Sequence, residues 1–557
     1  MQPAGGFSLS PHLPFEFDLS VLDALTNNRH VNALLHGTDY AIAAGTGSID
    51  PMLATGTDAA GGKLNVAEQY NKNETDVPTT DASYRYGGDC RERGLRRPPF
   101  GSGIRAGGDA TRWGSNGWYV WETRESFWTM RMAGFTGLVN ELYNMSANDG
   151  KLFTNTYPAC DGIENFNCIT QLDSASLANG PSVNTPTAVA SFIATRMLAS
   201  KSAFKNSAVK YIIGAFNPTA GTTGVINVPW LNSFFNAMEA AGAPSALLPF
   251  CNGNFSAAIS TGSNGLVQFM RLGGTGGSWI GEWSKDSPGS IANMTAQIAS
   301  VAAVSSPSLP LWYCMTPQVQ SCRHRSGWAK EVEGLKQIYM TGEYMIAHGT
   351  DNMMAHWVTW NDMAESPIRS GTGHQHVALD IASYYNYAFR TGQRPNIVRD
   401  VIYGAHRLHP YNATPGAAQT AGPMGFNGTI GKDIISMLAF CKAPCTVRIV
   451  NPDHSTVMAT HNVTDADIAA GPYLLQYEGT LPAGKPYFQL IRDGVTLIDM
   501  QSDFRIRASI TRFQDMWYKM CGSGRRSIAI AAGHPNIEPV ELVGDRLPND
   551  ARFGSSG

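Results

Sequence analysis

From residue 30 to about residue 405 the chain alternates between short apolar runs and longer stretches with helical spacing of apolar positions. The short runs read as buried strands: His30–Leu35, Gly137–Tyr143, Lys151–Tyr157, Val209–Phe216, Ala246–Cys251, Trp279–Trp283, Leu309–Met315 and His356–Trp360. The helical patterns are Glu122–Ala133, Thr187–Ser200, Trp230–Ala241, Ile291–Val304, Glu331–Ala347 and, after the last strand, Val377–Gly392. Alternating strand and helix units in that number predict a (β/α)8 TIM barrel over residues 30–410, with residues 1–29 as an N-terminal extension. The first connection, residues 45–121, is far longer than an ordinary loop and is rich in Gly, Asp, Thr and Arg. On a barrel it would lie over the face where active sites sit.

Beyond His409-Pro410 the pattern changes. Residues 411–427 are rich in Pro, Gly and Ala and read as a linker. Residues 428–557 carry short alternating runs, Thr446–Val450, Ser455–Ala459, Tyr473–Tyr477, Tyr487–Ile491, Val495–Ile498 and Arg505–Ile510, separated by turn residues. That pattern predicts a C-terminal antiparallel β-sandwich domain.

Composition narrows the function. Of 557 residues 43% are hydrophobic and 15% charged, the profile of a globular chain with few charges, as in many extracellular or particle-borne proteins. The net charge of −3, with no basic stripe, argues against nucleic acid as a partner. No apolar run is long enough for membrane insertion, and the first residues lack the basic and apolar regions of a secretory signal. An extracellular location would then require a signal absent from this chain, or export that uses none. The other location in keeping with this profile is the virion. Nine cysteines include three close pairs, Cys160/Cys168, Cys314/Cys322 and Cys441/Cys445, which suit local disulfides in an oxidising compartment. No zinc spacing occurs, and His374-Gln375-His376 suits a structural or substrate role better than a metal. No cofactor is implied.

The segment AHWVTWNDMAES carries the strongest chemical signal. An aromatic run containing Trp357, Val358 and Trp360 breaks off into Asn361, Asp362 and Glu365. Two carboxylates beside tryptophan, just past a strand end, suit acid–base work on a sugar; they equally suit a helix N-terminus. Other residues near predicted strand ends are His36, Glu141, Asp161, Glu282 and Trp283. Each has a plainer alternative: Glu282 fits an ion pair with Lys285, Trp283 and Trp360 fit a core, and Asp161 fits a surface loop. No nucleophile elbow appears, and carboxylates, amides and tryptophans dominate the set, which suits glycoside hydrolysis.

TWNDMAES resembles the catalytic segment of glycoside hydrolase family 71, the α-1,3-glucanases or mutanases, in its bacterial type. Further segments agree in order: Tyr86-Gly87-Gly88 with Arg91-Glu92-Arg93 and Arg96-Arg97-Pro98-Pro99, then Ala133–Gly137, Cys314–Gln318, and residues 370–385 and 390–410. The resemblance spans roughly residues 30–410. It implies an inverting attack on α-1,3-glucan or a related extracellular α-glucan. Asp362 and Glu365 would be the catalytic pair, with Glu365 as acid and Asp362 as base, roughly 6.5–9.5 Å apart. His36, Glu141, Asp161, Glu282, Trp283, Trp360, Asn361 and His374 would line the substrate. The chain departs from the family at Met363 and Ala364, and at Glu141, where the family carries Asp or Asn. The family's aspartate after its third strand has Asp161 as its nearest counterpart. A second reading is a virus-particle component, structural, glycan-binding or depolymerising, on a similar barrel. Its sandwich would contact other copies or particle proteins.

Overall fold

The computed structural model describes residues 13–27, 29–35, 56–57, 63–64, 127, 130–142, 145, 149–173, 177, 184–205, 209–216, 226–250, 311–315, 320–321, 328–329, 331–349, 351, 353–357, 377–413, 425–426, 430–502, 504–508 and 518–523. Seven strands form one wholly parallel sheet. They are β1 (His30–Leu35), β2 (Gly137–Leu142), β3 (Asn167–Asp173), β4 (Tyr211–Phe216), β5 (Ser245–Phe250), β6 (Leu311–Met315) and β7 (Met353–Trp357). Their order is β5-β4-β3-β2-β1-β7-β6, so the last parallel strand returns to lie beside the first. Sequential neighbours joined by helices are the mark of an α/β barrel-like core. The candidates Trp279–Trp283 and Ile291–Val304 lie outside the described residues.

Helices α1 (Asp149–Asp161), α2 (Pro186–Ala199), α3 (Val228–Ala240), α4 (Lys336–His348) and α5 (Val377–Thr391) cover the sheet. Local chemistry starts them. Thr185 caps α2 by accepting from the Ala188 amide, and Asn227 caps α3 by accepting from the Trp230 amide, each with a proline in the first turn. The run Lys151–Tyr157, expected as a strand, belongs to α1. Phe153, Thr156, Tyr157 and Cys160 are among its buried positions, a three-and-four spacing that only a helix puts on one face. The true third strand, β3, falls later. The last parallel strand is described over Met353–Trp357, so it begins three residues before the expected His356–Trp360, whose residues 358–360 lie outside the described residues.

Two four-stranded antiparallel sheets follow. One has the order β12-β9-β8-β15, from β8 (Val401–His406), β9 (Ile434–Phe440), β12 (Tyr473–Glu478) and β15 (Lys519–Gly522). The other has the order β11-β10-β13-β14, from β10 (Cys445–Val450), β11 (Val457–Val463), β13 (Tyr487–Arg492) and β14 (Val495–Gln501). The first antiparallel sheet thus begins at Val401, inside the stretch assigned to the barrel. In the expected linker, Gly425–Phe426 pairs in parallel with Trp328–Ala329. Arg505–Ile510 is not a strand among the described residues; Ile506 makes one isolated bridge to Gly484.

The first of these sheets is buried on both faces. Val401, Tyr403, Leu438 and Phe440 share a core cluster with the helices, including Tyr384 and Tyr385 of α5. Ile402, Ile435, Met437 and Ala439 share another with Val447, Ile449, Phe488 and Leu490 of the second sheet. Burying one such phenylalanine contributes about 1.5–3 kcal/mol. The packing is close enough to require glycine at two points. A Cβ on Gly342 would come within 2.5 Å of the Tyr385 ring, and one on Gly404 within 2.3 Å of the Phe488 ring.

A buried ion pair fastens the two halves. Arg407, just past β8, donates to Glu331, before α4, at 2.9 Å, and both are essentially inaccessible. Glu331 also accepts from the Tyr518 hydroxyl at 2.7 Å and from the Glu333 and Lys432 amides, each at 2.8 Å. Every donor here is matched to a carboxylate oxygen. Glu331→Gln is therefore expected to destabilise the fold by about 3–5 kcal/mol, because it leaves the Arg407 charge buried without its counter-ion. A lowered urea midpoint at unchanged slope is the expected reading; an unshifted midpoint would show that the pair is dispensable.

Candidate functional site

The two faces of the parallel sheet separate cleanly. Val31, Ala33, Leu138, Leu142, Cys168, Leu172, Ile213, Ala215, Leu247, Ala355 and Trp357 share the core cluster with the helices. The alternate residues Val139, Ile169, Ile212, Ala246 and Met354 are fully buried yet stand outside that cluster, so they occupy the opposite, inner face. Polar contacts agree. Asn140 donates to the Phe153 carbonyl of α1, Thr170 meets the Tyr157 hydroxyl, and Trp357 Nε1 donates to Asn386 Oδ1 of α5, all on the helix side.

Parallel register carries the inner face from strand to strand. Asn32 pairs with His356, and Glu141 pairs with Gln171. Asp173, two residues after Gln171, lies on the same face. All five are buried. Glu141, Gln171 and Asp173 sit at or beside the C-terminal ends of β2 and β3, the end of a parallel sheet where loops bring chemistry. Gln171 Nε2 donates to Glu141 Oε1 at 3.0 Å, which fixes the carboxylate. Gln171 Oε1 and Asn32 Oδ1 meet no partner among the described residues. Burial pushes the His356 imidazole down to about 3, so it is neutral at ordinary pH. Glu141 and Gln171 thus lie side by side with Asp173 further along the same strand face, while Asn32 and His356 share that face four residues nearer the N-terminal end of the sheet, level with Gly137. Such groups accept hydrogen bonds from hydroxyls and carry no fixed positive charge.

The expected site residues fall unevenly. Glu141 occupies the strand-end position read from the sequence. Asp161 does not lie past a strand: it ends α1. Its carboxylate accepts from the Ser200 hydroxyl at 2.7 Å and the Ser202 amide at 2.8 Å. The Ser202 carbonyl in turn accepts from the amide of Cys168, at the start of β3. Asp161 therefore ties a loop at the N-terminal end of the sheet, away from Glu141. Asp173 is the aspartate that ends the third strand. His36, Glu282, Trp283, Trp360, Asn361, Asp362, Glu365 and His374 lie outside the described residues. In sequence, Asp362 and Glu365 follow β7, which neighbours β1, which neighbours β2 with Glu141. Asn32, Gln171, Asp173 and His356 were not singled out from the sequence. Asn32 and His356 are polar positions inside otherwise apolar runs, whereas Gln171 and Asp173 share β3 with Asn167 and Thr170, which hides the strand.

Cys160, Cys168, Cys441, Cys445 and Cys521 are free thiols. The Cys314/Cys322 pair cannot be followed, because Cys322 lies outside the described residues. No cluster of three or more metal-ligating side chains occurs among the described residues. None of the described helices is long and apolar enough to cross a membrane.

No family model matches the chain, and no curated protein matches it. Among solved structures it is similar to a glycosyl hydrolase family 2 member from Bacteroides cellulosilyticus DSM 14838, with TM-score 0.32 and 8% identity over 70% of this chain. The chain spans 43% of that protein's length. It is also similar to a GH5-4 broad specificity endoglucanase from an uncultured bovine rumen ciliate, with TM-score 0.31 and 11% identity, covering 48% of this chain and 86% of the other. An engineered protein fits as well, with TM-score 0.31 and 10% identity over 67% of this chain and 86% of its own, so these likenesses carry no functional weight.

Proposed function

We propose that the chain is an inverting glycoside hydrolase acting on α-1,3-glucan or a related extracellular α-glucan. In this reading an eighth strand from residues 251–310 closes the barrel, and the two antiparallel sheets form a sandwich behind it. The observation that carries the reading is the enclosed polar face at the strand C-terminal ends, with Glu141 held by Gln171 and Asp173 beside it. It lies two strands away from the strand that leads into Asp362 and Glu365.

Glu365, protonated, gives its proton to the glycosidic oxygen as the bond to the anomeric carbon breaks. Asp362, ionised, takes a proton from a water that attacks that carbon from the opposite face. Glu141, Asp173 and Gln171 accept hydrogen bonds from sugar hydroxyls and set the ring between the two carboxylates. His36, Glu282, Trp283, Trp360, Asn361 and His374 belong to the same substrate-lining set, the tryptophans stacking on sugar faces. Two carboxylates suffice for this chemistry, so the reading needs no cofactor.

The test is reducing-end release from insoluble α-1,3-glucan and a panel of other α- and β-glucans. The anomer formed is read by proton NMR in the first minutes. Release from α-1,3-glucan with the β-anomer appearing first is the expected outcome. The α-anomer first would replace inversion by retention. Binding without release from any glucan would make the chain a glycan-binding or structural protein, such as a virus-particle component.

A further inference from the structure

The chain passes from one antiparallel sheet to the other through Cys441-Lys442-Ala443-Pro444-Cys445. Strand β9 ends at Phe440 and β10 begins at Cys445, so the two cysteines bracket the crossing. Both are free, and their relative exposures are only 4% and 8%. Both side chains belong to the same buried cluster between the two sheets.

The turn is clamped from outside. Arg492 grips the Asp400 carboxylate through two bonds of 2.7 Å. The same guanidinium donates to the Ala443 carbonyl at 3.0 Å and the Pro444 carbonyl at 3.1 Å. The Lys442 amide donates to Asp400 at 3.0 Å. This network holds the two thiols together without either having to pay for ordering the loop. It also makes them unequal. The neighbouring Cys441 and the nearby Arg492 charge hold the Cys445 thiol below its usual range, while Cys441 is pushed up by the neighbouring Cys445 and by burial.

We propose that Cys441 and Cys445 form a redox-reactive dithiol, a modification site that closes to an intramolecular disulfide by exchange with a low-molecular-weight disulfide such as oxidised glutathione. The Cys445 thiolate attacks one sulfur of the reagent, forming a mixed disulfide and releasing one glutathione thiolate, which takes up a proton. Cys441, losing its proton, then attacks the Cys445 sulfur and releases the second glutathione. Two protein thiols are oxidised and one glutathione disulfide is reduced to two thiols. The new bond ties the two sheets across their crossing.

Lys442 is exposed and lies between the two cysteines, which gives the test its readout. The full-length folded chain is incubated with oxidised glutathione, its remaining thiols are alkylated, and it is digested with trypsin. Cleavage after Lys442 separates the cysteines, so an internal bridge leaves the two peptides joined until a reductant is added. Joined peptides in the oxidised arm alone are the expected result. In Cys441→Ser the expected product is instead a lasting glutathione adduct on Cys445. Both thiols remaining alkylatable would overturn the proposal, as would a lasting glutathione adduct in the wild type. Bridging that appears only together with reaction of the inaccessible Cys160 and Cys168 would also overturn it, since that marks an unfolded chain.

Discussion

Glu365→Gln is expected to lower kcat for glucan hydrolysis by roughly 10²–10⁴-fold while leaving binding to the polysaccharide intact. Glutamine keeps the size and hydrogen-bonding reach of the acid but has no proton to transfer to the leaving oxygen. The loss should therefore depend on the leaving group. An activated aryl glycoside departs with little protonation, so Glu365→Gln should recover much of its rate on such a substrate. Asp362→Asn should not recover, because water must be activated whatever leaves. Full activity in Glu365→Gln would remove this residue from the reaction. Recovery in Asp362→Asn rather than Glu365→Gln would exchange the two roles.

Much of the parallel half is legible in the sequence because its strands are buried on both faces and read as plain apolar runs. β1, β2, β4, β5 and β6 lie where those runs are. The reading slips where one face is polar. β3 reads NCITQLD, and its inward residues Gln171 and Asp173 break the apolar run, so the pattern favours the aromatic stretch in α1 as the strand. That exchange also explains Asp161. Once Lys151–Tyr157 is taken as a strand, the next acidic residue looks like a strand-end residue, whereas it closes a helix at the other end of the sheet. The feature that hid the strand is the one that gives it chemistry.

The inner antiparallel sheet reads only in part, for a different reason. β9, with the sequence IISMLAF, is buried along its whole length because helices cover one face and a sheet the other. It shows no alternation and therefore no sandwich signal. β8 is likewise buried throughout and, lying just after α5, looks like one more barrel strand. Only register distinguishes it: it pairs antiparallel with β9 and β15. The strands of the outer sheet, half exposed, were all recognised from alternation. Glu141 was legible because it follows an apolar run directly. The bond that fixes it comes from a strand the sequence concealed.

Lowering the pH from about 7 to about 5 is expected to remove roughly 8 kcal/mol of stability. His356, His406 and His409 are buried and His30 is half-buried with its ring turned inward, and loss of solvent pushes His30, His356, His406 and His409 from an ordinary value of 6.5 down to about 4, 3, 4 and 4. His406 illustrates the cause. Its Nδ1 donates to the Arg407 carbonyl at 2.8 Å and its Nε2 accepts from the Ser502 hydroxyl at 2.7 Å, an arrangement made for the neutral ring. The unfolded chain takes up a proton on each ring near pH 6.5, while the folded chain refuses it until about pH 3–4. Stability is therefore full above pH 6.5 and is lost as the pH falls toward the folded values. At pH 5 each histidine costs about 2 kcal/mol, and the total approaches the roughly 5–15 kcal/mol that holds a whole domain together. Urea midpoints measured across this range should fall steeply. His406→Asn, which cannot take up a proton, should lessen the slope by about a quarter. Midpoints that stay level down to pH 5 would mean that the folded protein protonates these rings, and so that they are open to water.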